Sequence, residues 1–263
     1  MWSYTLLIFV VYQILAMNKI FTQSVLLASL GCLFVNVSQA QTTITQWNFN
    51  SVPPDASTST GSMTPSVGTG TVAAAGGTAT SFASGSSNGG SSDPATADNT
   101  GLGVTTFPAQ GTANKTAGIA FLAATTGYQN IRISFDQRHS NTGPANVQLQ
   151  YTLNAGVSNP VWVDADTASA ASGDTWNNHS FNLSSVTGLN NNPNAGFRVV
   201  AAFSPAGTAY APSSSTSAYS GGGTWRFDML TIKGDVIPTT PALPNLVITE
   251  IIHSPNNIEM IEV

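Results

Sequence analysis

Alternation of apolar and polar residues along short segments most constrains how this chain can fold. Ile131, Ile133 and Phe135 fall on one side of an extended strand, and the polar residues between them fall on the other. The same two-residue period recurs in residues 147–153 and 197–203. A two-residue period with β-branched and aromatic residues is typical of strands that bury one face. It predicts antiparallel sheets.

Nine segments of this kind are predicted to be strands: 42–49, 69–82, 118–126, 130–138, 145–153, 161–163, 176–183, 196–203 and 224–233. Glycine, asparagine and proline separate them. Charged residues make up 7% of the chain, against roughly 25% in average soluble domains, which argues against coiled coils and long solvated helices. We therefore expect an all-β fold, an antiparallel β-sandwich or jelly roll. Two low-complexity stretches, 84–92 and 211–223, are expected to be exposed loops.

The first 40 residues have the pattern of a secretory signal peptide read from Met17. Lys19 supplies the positive start, residues 25–35 form the apolar run, and Ser38-Gln39-Ala40 is a small-x-small cleavage site. Residues 1–16 then precede the true start. One alternative is a membrane anchor, but the second apolar run is too short to span a bilayer. The other is lipidation at Cys32, but the residues before Cys32 match the lipidation motif poorly.

Cleavage after Ala40 would leave a mature chain without cysteine, because Cys32 is the single cysteine. Secreted eukaryotic β-domains often carry disulfides. The composition therefore favours a bacterial protein that is secreted or held at the cell surface. No stable membrane span is expected in the mature chain.

The mature chain divides into three predicted parts. Residues 41–237 form the β-sandwich domain, and residues 238–245 form a linker rich in proline and threonine. Residues 246–263 contain all three glutamates of the chain and a strand–turn–strand pattern. Eighteen residues are too few for a stable domain, so we expect the start of a second β-domain.

This last segment resembles the start of the lamin-tail domain of bacterial secreted proteins. The resemblance rests on residues 247–251 (VITEI), the turn 254–257 (SPNN) and residues 259–263 (EMIEV). It implies an immunoglobulin-like sandwich, of which these residues would be only the truncated beginning.

The main domain resembles the N-terminal β-sandwich module of large bacterial secreted proteins, which often precedes lamin-tail domains or extracellular nuclease and phosphoesterase domains. The residues that carry the resemblance lie at 47–50, 65–70, 93–96, 107–111, 134–140, 150–152 and 225–228. The resemblance implies an accessory module, with any nuclease activity located beyond Val263.

Two motif matches are interpreted as coincidental. Residues 85–89 fit the G-x-S-x-G nucleophile elbow, but that motif needs a strand before it and a helix after it. Residues 68–73 fit a loosened dinucleotide fingerprint but precede a strand. The three histidines, His139, His179 and His253, are too widely spaced to predict a catalytic zinc site. We therefore predict no catalytic residues and no enzymatic activity in this chain.

The net charge of the chain limits which classes of ligand it can bind. Seven basic against twelve acidic residues give a net charge of −5, which argues against nucleic-acid binding through phosphate contacts. Asp164 and Asp166 could offer oxygen ligands to a structural calcium ion. The alternative is that they cap backbone groups in a turn.

Polar side chains on the non-core sides of the predicted strands are the best candidates for a ligand-binding face. Seven such residues are Arg132, Asp136, Gln148, Gln150, Arg198, Arg226 and Asp228. Such groups can bind sugar hydroxyls, while tryptophans stack on sugar rings. The predicted ligand-binding residues are Trp162, Trp176, Arg132, Gln148 and Gln150. The alternative is structural: arginine–aspartate pairs that bridge adjacent strands. Trp47 and Trp225 are expected in the core.

These observations predict a secreted, non-catalytic binding or adhesion module for a polysaccharide or another surface ligand. Two alternatives remain open. The chain could be the accessory N-terminal part of an extracellular nuclease or phosphoesterase, or it could be a spacer in a surface protein.

Overall fold

The computed structural model describes residues 41–170 and 172–239 in full, and beyond these only the backbone of residues 250–254 and 257–262. The predicted signal region 1–40 lies outside the described residues, as does the predicted linker from residue 240 onward. Among the described residues, no helix is long and apolar enough to cross a bilayer.

Residues 41–239 contain eleven strands and two short 3-10 turns. The strands are β1 (Thr42–Trp47), β2 (Thr71–Ala75), β3 (Ala79–Ser84), β4 (Thr100–Thr105), β5 (Gly118–Leu122), β6 (Tyr128–His139), β7 (Asn146–Thr152), β8 (Val163–Ser169), β9 (Thr175–Asn182), β10 (Gly196–Ala202) and β11 (Trp225–Val236).

The strands form two antiparallel sheets. Sheet 1 has the order β3-β4-β11-β6-β9, and β1 also pairs with β11. Sheet 2 has the order β2-β5-β10-β7-β8. The long strand β11 pairs with β4 near its start and with β1 nearer its end. The prediction of an all-β antiparallel sandwich is confirmed.

Large aromatic side chains from both sheets fill the space between them. Trp47 on β1 meets Phe121 on β5 edge to face, with ring centroids 6.3 Å apart. Phe121 stacks on Phe197 at 5.6 Å. Trp225 is fully buried, as is Trp47, which confirms the prediction that both lie in the core. Each indole nitrogen donates a hydrogen bond to a backbone carbonyl, so neither N–H is buried without a partner.

Three strands differ from the sequence-based predictions. The predicted strand 69–82 is two strands, because Gly76 and Gly77 adopt positive φ and turn the chain between β2 and β3. Strand β4 was missed because Gly101 and Gly103 interrupt its apolar alternation. The predicted strand 161–163 meets β8 only at Val163, because the remaining residues of β8 are mostly polar and gave no apolar alternation. Asp164 and Asp166 therefore lie on a sheet-edge strand, and the prediction of a turn there was wrong.

Two further strands, β12 (Glu250–Ser254) and β13 (Asn257–Glu262), pair antiparallel as a hairpin. This hairpin agrees with the strand–turn–strand pattern in the sequence. Its assignment to a lamin-tail domain stays a prediction.

Candidate functional site

A row of polar side chains crosses the outer face of sheet 2, the face that points away from the core. On adjacent strands, Arg198 of β10 lies opposite Gln150 of β7, and Gln150 lies opposite Asp164 of β8. The core-facing neighbours, such as Val199 and Leu149, are fully buried. The two-residue period of the strands therefore places the three polar side chains side by side on one surface.

Hydrogen bonds join this row end to end. The Arg198 Nε donates to the Gln150 Oε1, and the Gln150 Nε2 donates to the Asp164 Oδ1 at 2.6 Å. Lys115, from the loop before β5, completes the row with an ion pair to the Asp164 Oδ2. The Arg198 Nη2 also donates to the Lys115 carbonyl at 3.4 Å. We call Lys115, Asp164, Gln150 and Arg198 the polar row.

Trp162 packs against the end of the polar row. The Arg198 Cζ lies 4.7 Å from the centroid of the indole ring, a cation–π distance. Trp162 is half-buried and directly precedes the edge strand β8. The tryptophan and the arginine therefore orient each other.

The charges of the polar row partly compensate one another. Burial raises the pKa of Asp164, but hydrogen bonds from Lys115 and Gln150 and the nearby positive charges outweigh this and hold it below its ordinary value. Burial lowers the pKa of Arg198, and the Asp164 charge partly offsets that effect. The row thus combines two cations and one carboxylate at neutral pH.

Part of the row still offers hydrogen-bonding groups to a ligand. Gln150 is buried and acts within the row. The Arg198 Nη1 has no acceptor among the described residues, and the Lys115 ammonium group donates only to Asp164 there. Side chains of Lys115 and Asp164 are 36% and 45% exposed. Arginine, lysine and carboxylate groups together can donate to and accept from hydroxyl groups.

A cleft of about 460 Å³ lies beside the row on the same face. Lys115 is shared between the row and the cleft, whose other polar lining residues include Asn114, Asn146, Gln148, Ser169 and Ser204. Apart from Lys115, the polar lining residues are neutral amides and hydroxyls, and about as many lining residues are apolar or glycine.

The structure brings together three of the five predicted ligand-binding residues. Gln150 lies in the row, Trp162 at its end, and Gln148 in the cleft. Gln148 is buried, and its Nε2 donates to the carbonyls of Leu149 and Asp166, both at 2.9 Å. Gln148 therefore shapes the cleft wall more than it offers donors.

The other two predicted residues lie on sheet 1. Arg132 is exposed on β6, on the outer face of that sheet. Trp176 is half-buried on β9, and its indole nitrogen donates to the Ser87 carbonyl at 2.8 Å. These two residues are therefore not part of the site on sheet 2.

Three of the four carboxylate oxygens of Asp164 and Asp166 accept hydrogen bonds from within the protein. Both Asp164 oxygens accept hydrogen bonds, one of them from the Lys115 ammonium group, and the Asp166 Oδ1 accepts from the Thr167 amide. Calcium prefers six to eight oxygen ligands. In residues 41–170 and 172–239, no three acidic, histidine or cysteine side chains form a metal-binding group. Calcium at this pair stays a prediction.

Lys115 had no signal in the sequence, because it lies in a loop outside any alternating strand. Residues 84–92, which were predicted to be an exposed loop, are only partly exposed. Residues 84–99, which we call the covering segment, fold over part of the outer face of sheet 1. Ser91 Oγ donates to the Asp228 Oδ2 at 2.6 Å, and both the amide and the hydroxyl of Ser92 donate to the Asp136 Oδ2 at 2.6 Å.

The covering segment buries these two carboxylates. Asp136 and Asp228 lie directly opposite each other on β6 and β11 and are 3% and 0% exposed. Burial raises the pKa of Asp228 to about 8, against hydrogen bonds from Ser91 and Met229 that lower it. This shift favours the protonated form of Asp228, which limits the repulsion from Asp136.

Comparisons with known proteins show no family for this chain. No family model matches it, and no curated protein does. Among solved structures it is similar to the N-terminal CBM22-1–CBM22-2 tandem domain from Paenibacillus barcinonensis, with 10% identity, a TM-score of 0.44, and coverage of 82% of this chain and 51% of that one. The chain therefore spans about half of that structure.

Two further similar structures are single modules. One is the CBM22-2 xylan-binding domain from Paenibacillus barcinonensis, with 13% identity, a TM-score of 0.39, and coverage of 62% of this chain and 91% of that one. The other is the family 11 carbohydrate-binding module of a Clostridium thermocellum cellulosomal cellulase, with 12% identity, a TM-score of 0.35, and coverage of 77% and 99%.

Proposed function

We propose that this chain is a non-catalytic glycan-binding module and that the outer face of sheet 2 is its binding surface. The observation that carries the proposal is the polar row with Trp162 at its end, beside an open cleft. Sugar rings present hydroxyl groups at their edges and apolar C–H faces. The exposed groups of Arg198, Lys115 and Asp164 suit the edges, and an indole ring suits the faces.

Preorganisation supports this proposal. Because the Gln150 amide holds both Arg198 and Asp164, neither side chain must be ordered when a ligand arrives. Immobilising a flexible side chain on binding costs about 0.5–1.5 kcal/mol. A row that is already fixed on strands avoids much of this cost.

The mixed lining of the cleft favours an uncharged glycan. The polar row carries both signs of charge, and the polar side chains further along the cleft are neutral amides and hydroxyls. A hydroxyl group can donate to Asp164 and accept from Arg198 or Lys115. We therefore expect neutral polysaccharides as ligands of this face.

The location of the protein is part of the proposal. The signal-peptide pattern around Lys19 and the single cysteine within it support export from a bacterial cell. The chain would then meet polysaccharides outside the cell. A nuclease or phosphoesterase elsewhere in a longer protein stays a prediction.

The test is retention of the purified chain on a panel of neutral insoluble polysaccharides, followed by calorimetry with an oligosaccharide of any that retains it. Arg198→Ala should weaken binding by at least about tenfold, since hydrogen bonds to charged groups contribute about 1.5–3 kcal/mol. Retention by none of the polysaccharides would overturn the proposal.

Two glutamines provide a matched pair of variants. Gln150→Ala removes the link within the polar row, whereas Gln46→Ala removes a glutamine whose Nε2 donates to Thr231 on sheet 1. We expect Gln150→Ala to weaken glycan binding and Gln46→Ala to leave it unchanged. Equal effects of the two would place the binding surface elsewhere.

A further inference from the structure

Two basic side chains face each other on the outer face of sheet 1, the sheet opposite the proposed glycan surface. Arg132 on β6 lies directly across from Lys233 on β11. Arg132 is exposed and Lys233 half-buried. Within the described part of the chain, neither side chain has a hydrogen-bond acceptor or an ion-pair partner.

This pairing is not explained by the stability of the sheet. Like charges directly opposite each other on neighbouring strands are destabilising. The whole chain has only seven basic residues and a net charge of −5, so two adjacent unpaired cations stand out.

The four other basic side chains among the described residues all have partners. Lys115 and Arg138 form ion pairs with aspartates. Arg198 donates to Gln150, and Arg226 donates to the Ser84 carbonyl at 2.9 Å. Arg132 and Lys233 are thus the two described cations without a partner.

The acidic side chains of the same face form no ion pair with Arg132 or Lys233 among the described residues. Asp136 and Asp228 lie further along β6 and β11, beneath the covering segment. Asp235 lies two residues beyond Lys233, but its Oδ2 accepts a hydrogen bond from the Asn130 Nδ2 at 2.8 Å and it forms no ion pair among the described residues.

We propose that Arg132 and Lys233 form a second binding surface, for an anionic polysaccharide. Neutral polar neighbours surround the pair: Asn182 lies across from Arg132 on β9, and Thr43 lies across from Lys233 on β1. An extended chain with carboxylate or sulfate groups can lie across these strands and place an anionic group between the two cations. The module would then bind a neutral glycan on one sheet and an acidic glycan on the other.

The test measures binding of the purified chain to polygalacturonate oligomers and to heparin oligomers, with dextran as the neutral reference. Binding to the first alone identifies carboxylates as the ligand group, and binding to the second identifies sulfates. We expect Arg132→Gln to weaken binding about fivefold and Arg132→Gln with Lys233→Gln to weaken it about 25-fold, from about 1 kcal/mol per cation at an anionic surface.

A pair of charge-adding variants controls for net charge. Asn182→Asp places a carboxylate beside Arg132, and Asn159→Asp places one on an exposed loop away from β6 and β11. Asn182→Asp should reduce polyanion binding severalfold, whereas Asn159→Asp should change it less than twofold. Rising salt should weaken the interaction of the parent chain.

Two results would overturn the inference: no polyanion binding by the parent chain, or undiminished binding by the double variant. Neither result bears on the glycan surface of sheet 2, which the Arg198→Ala variant tests separately with neutral polysaccharides.

Discussion

The two outer faces of the sandwich carry similar side chains, but these side chains make different contacts. Sheet 2 has an aspartate, an amide, an arginine and a tryptophan in Asp164, Gln150, Arg198 and Trp162. Sheet 1 has the same set near its covering segment: Asp136, Asn178, Arg226 and Trp176.

The two faces differ because the covering segment lies over part of sheet 1. On sheet 1, Arg226 donates to the Ser84 carbonyl and Trp176 to the Ser87 carbonyl, so their donors bind the covering segment. On sheet 2, the row is partly exposed beside a cleft. The same residue types hold a loop in place where they are covered and are available to a ligand where they are open.

The largest expected difference is in stability. Asp136 accepts hydrogen bonds from Ser92 and from the Asn178 Nδ2, so Asp136→Ala leaves buried donors without an acceptor and should cost about 3 kcal/mol. Asp164→Ala removes a carboxylate that is 45% exposed, so water can enter and accept the hydrogen bonds of Gln150 and Lys115, and the cost should be only about 1 kcal/mol. Denaturant unfolding measures both. Equal costs would contradict the distinction between the two faces.

The stability of the folded chain should also depend on pH through Asp228, which lies on the covered face of sheet 1. Because the pKa of Asp228 is raised to about 8 in the folded state from 3.8, the folded chain holds a proton that the unfolded chain has lost. Stability from this group is full below pH 3.8 and is lost as the pH rises through about 8.

Asp228→Asn cannot titrate, so it should gain stability relative to the parent chain as the pH rises from 4 to 8. Thermal unfolding of both proteins across this range measures the difference. His139, whose pKa burial lowers to about 3 against a raising hydrogen bond to the Pro144 carbonyl, affects both proteins alike. A constant difference between them would show that Asp228 does not titrate in this range.

The tryptophans should differ in binding. Trp162→Ala should weaken glycan binding about tenfold, since a buried aromatic anchor commonly contributes more than 1 kcal/mol. Trp176→Phe removes the hydrogen bond to Ser87 and should lower stability without changing glycan affinity. Calorimetry and thermal unfolding of both variants distinguish the two roles. Loss of glycan binding in Trp176→Phe would instead support the original prediction for that residue.

The smallest expected effect concerns the cation pair on sheet 1. Lys233→Gln relieves repulsion with Arg132 and should stabilise the chain by about 0.3 kcal/mol at low salt. The gain should shrink as salt screens the charges. A loss of stability on substitution would indicate that Lys233 has a stabilising partner.

Local sequence pattern predicted the fold class and the buried faces well. Alternation correctly assigned Trp47 and Trp225 to the core, because the side on which a residue falls depends only on its strand. It also placed Gln150 correctly on an outward face.

The pattern could not tell which sheet each strand joins. Strand β6 pairs with β11, about 100 residues away in sequence, and such pairings depend on long-range packing. The predicted site therefore combined Arg132 and Trp176 of sheet 1 with Gln148, Gln150 and Trp162 of sheet 2. Lys115 was missed because loop geometry, not strand periodicity, brings it to Asp164.

Amide chemical-shift mapping with a bound neutral oligosaccharide would locate the glycan on the surface of the protein. If the glycan binds the outer face of sheet 2, the shifts should be concentrated in β7, β8 and β10 and in the Trp162 indole, with those of sheet 1 unchanged. Shifts concentrated in β6, β9 and β11 would contradict binding to sheet 2.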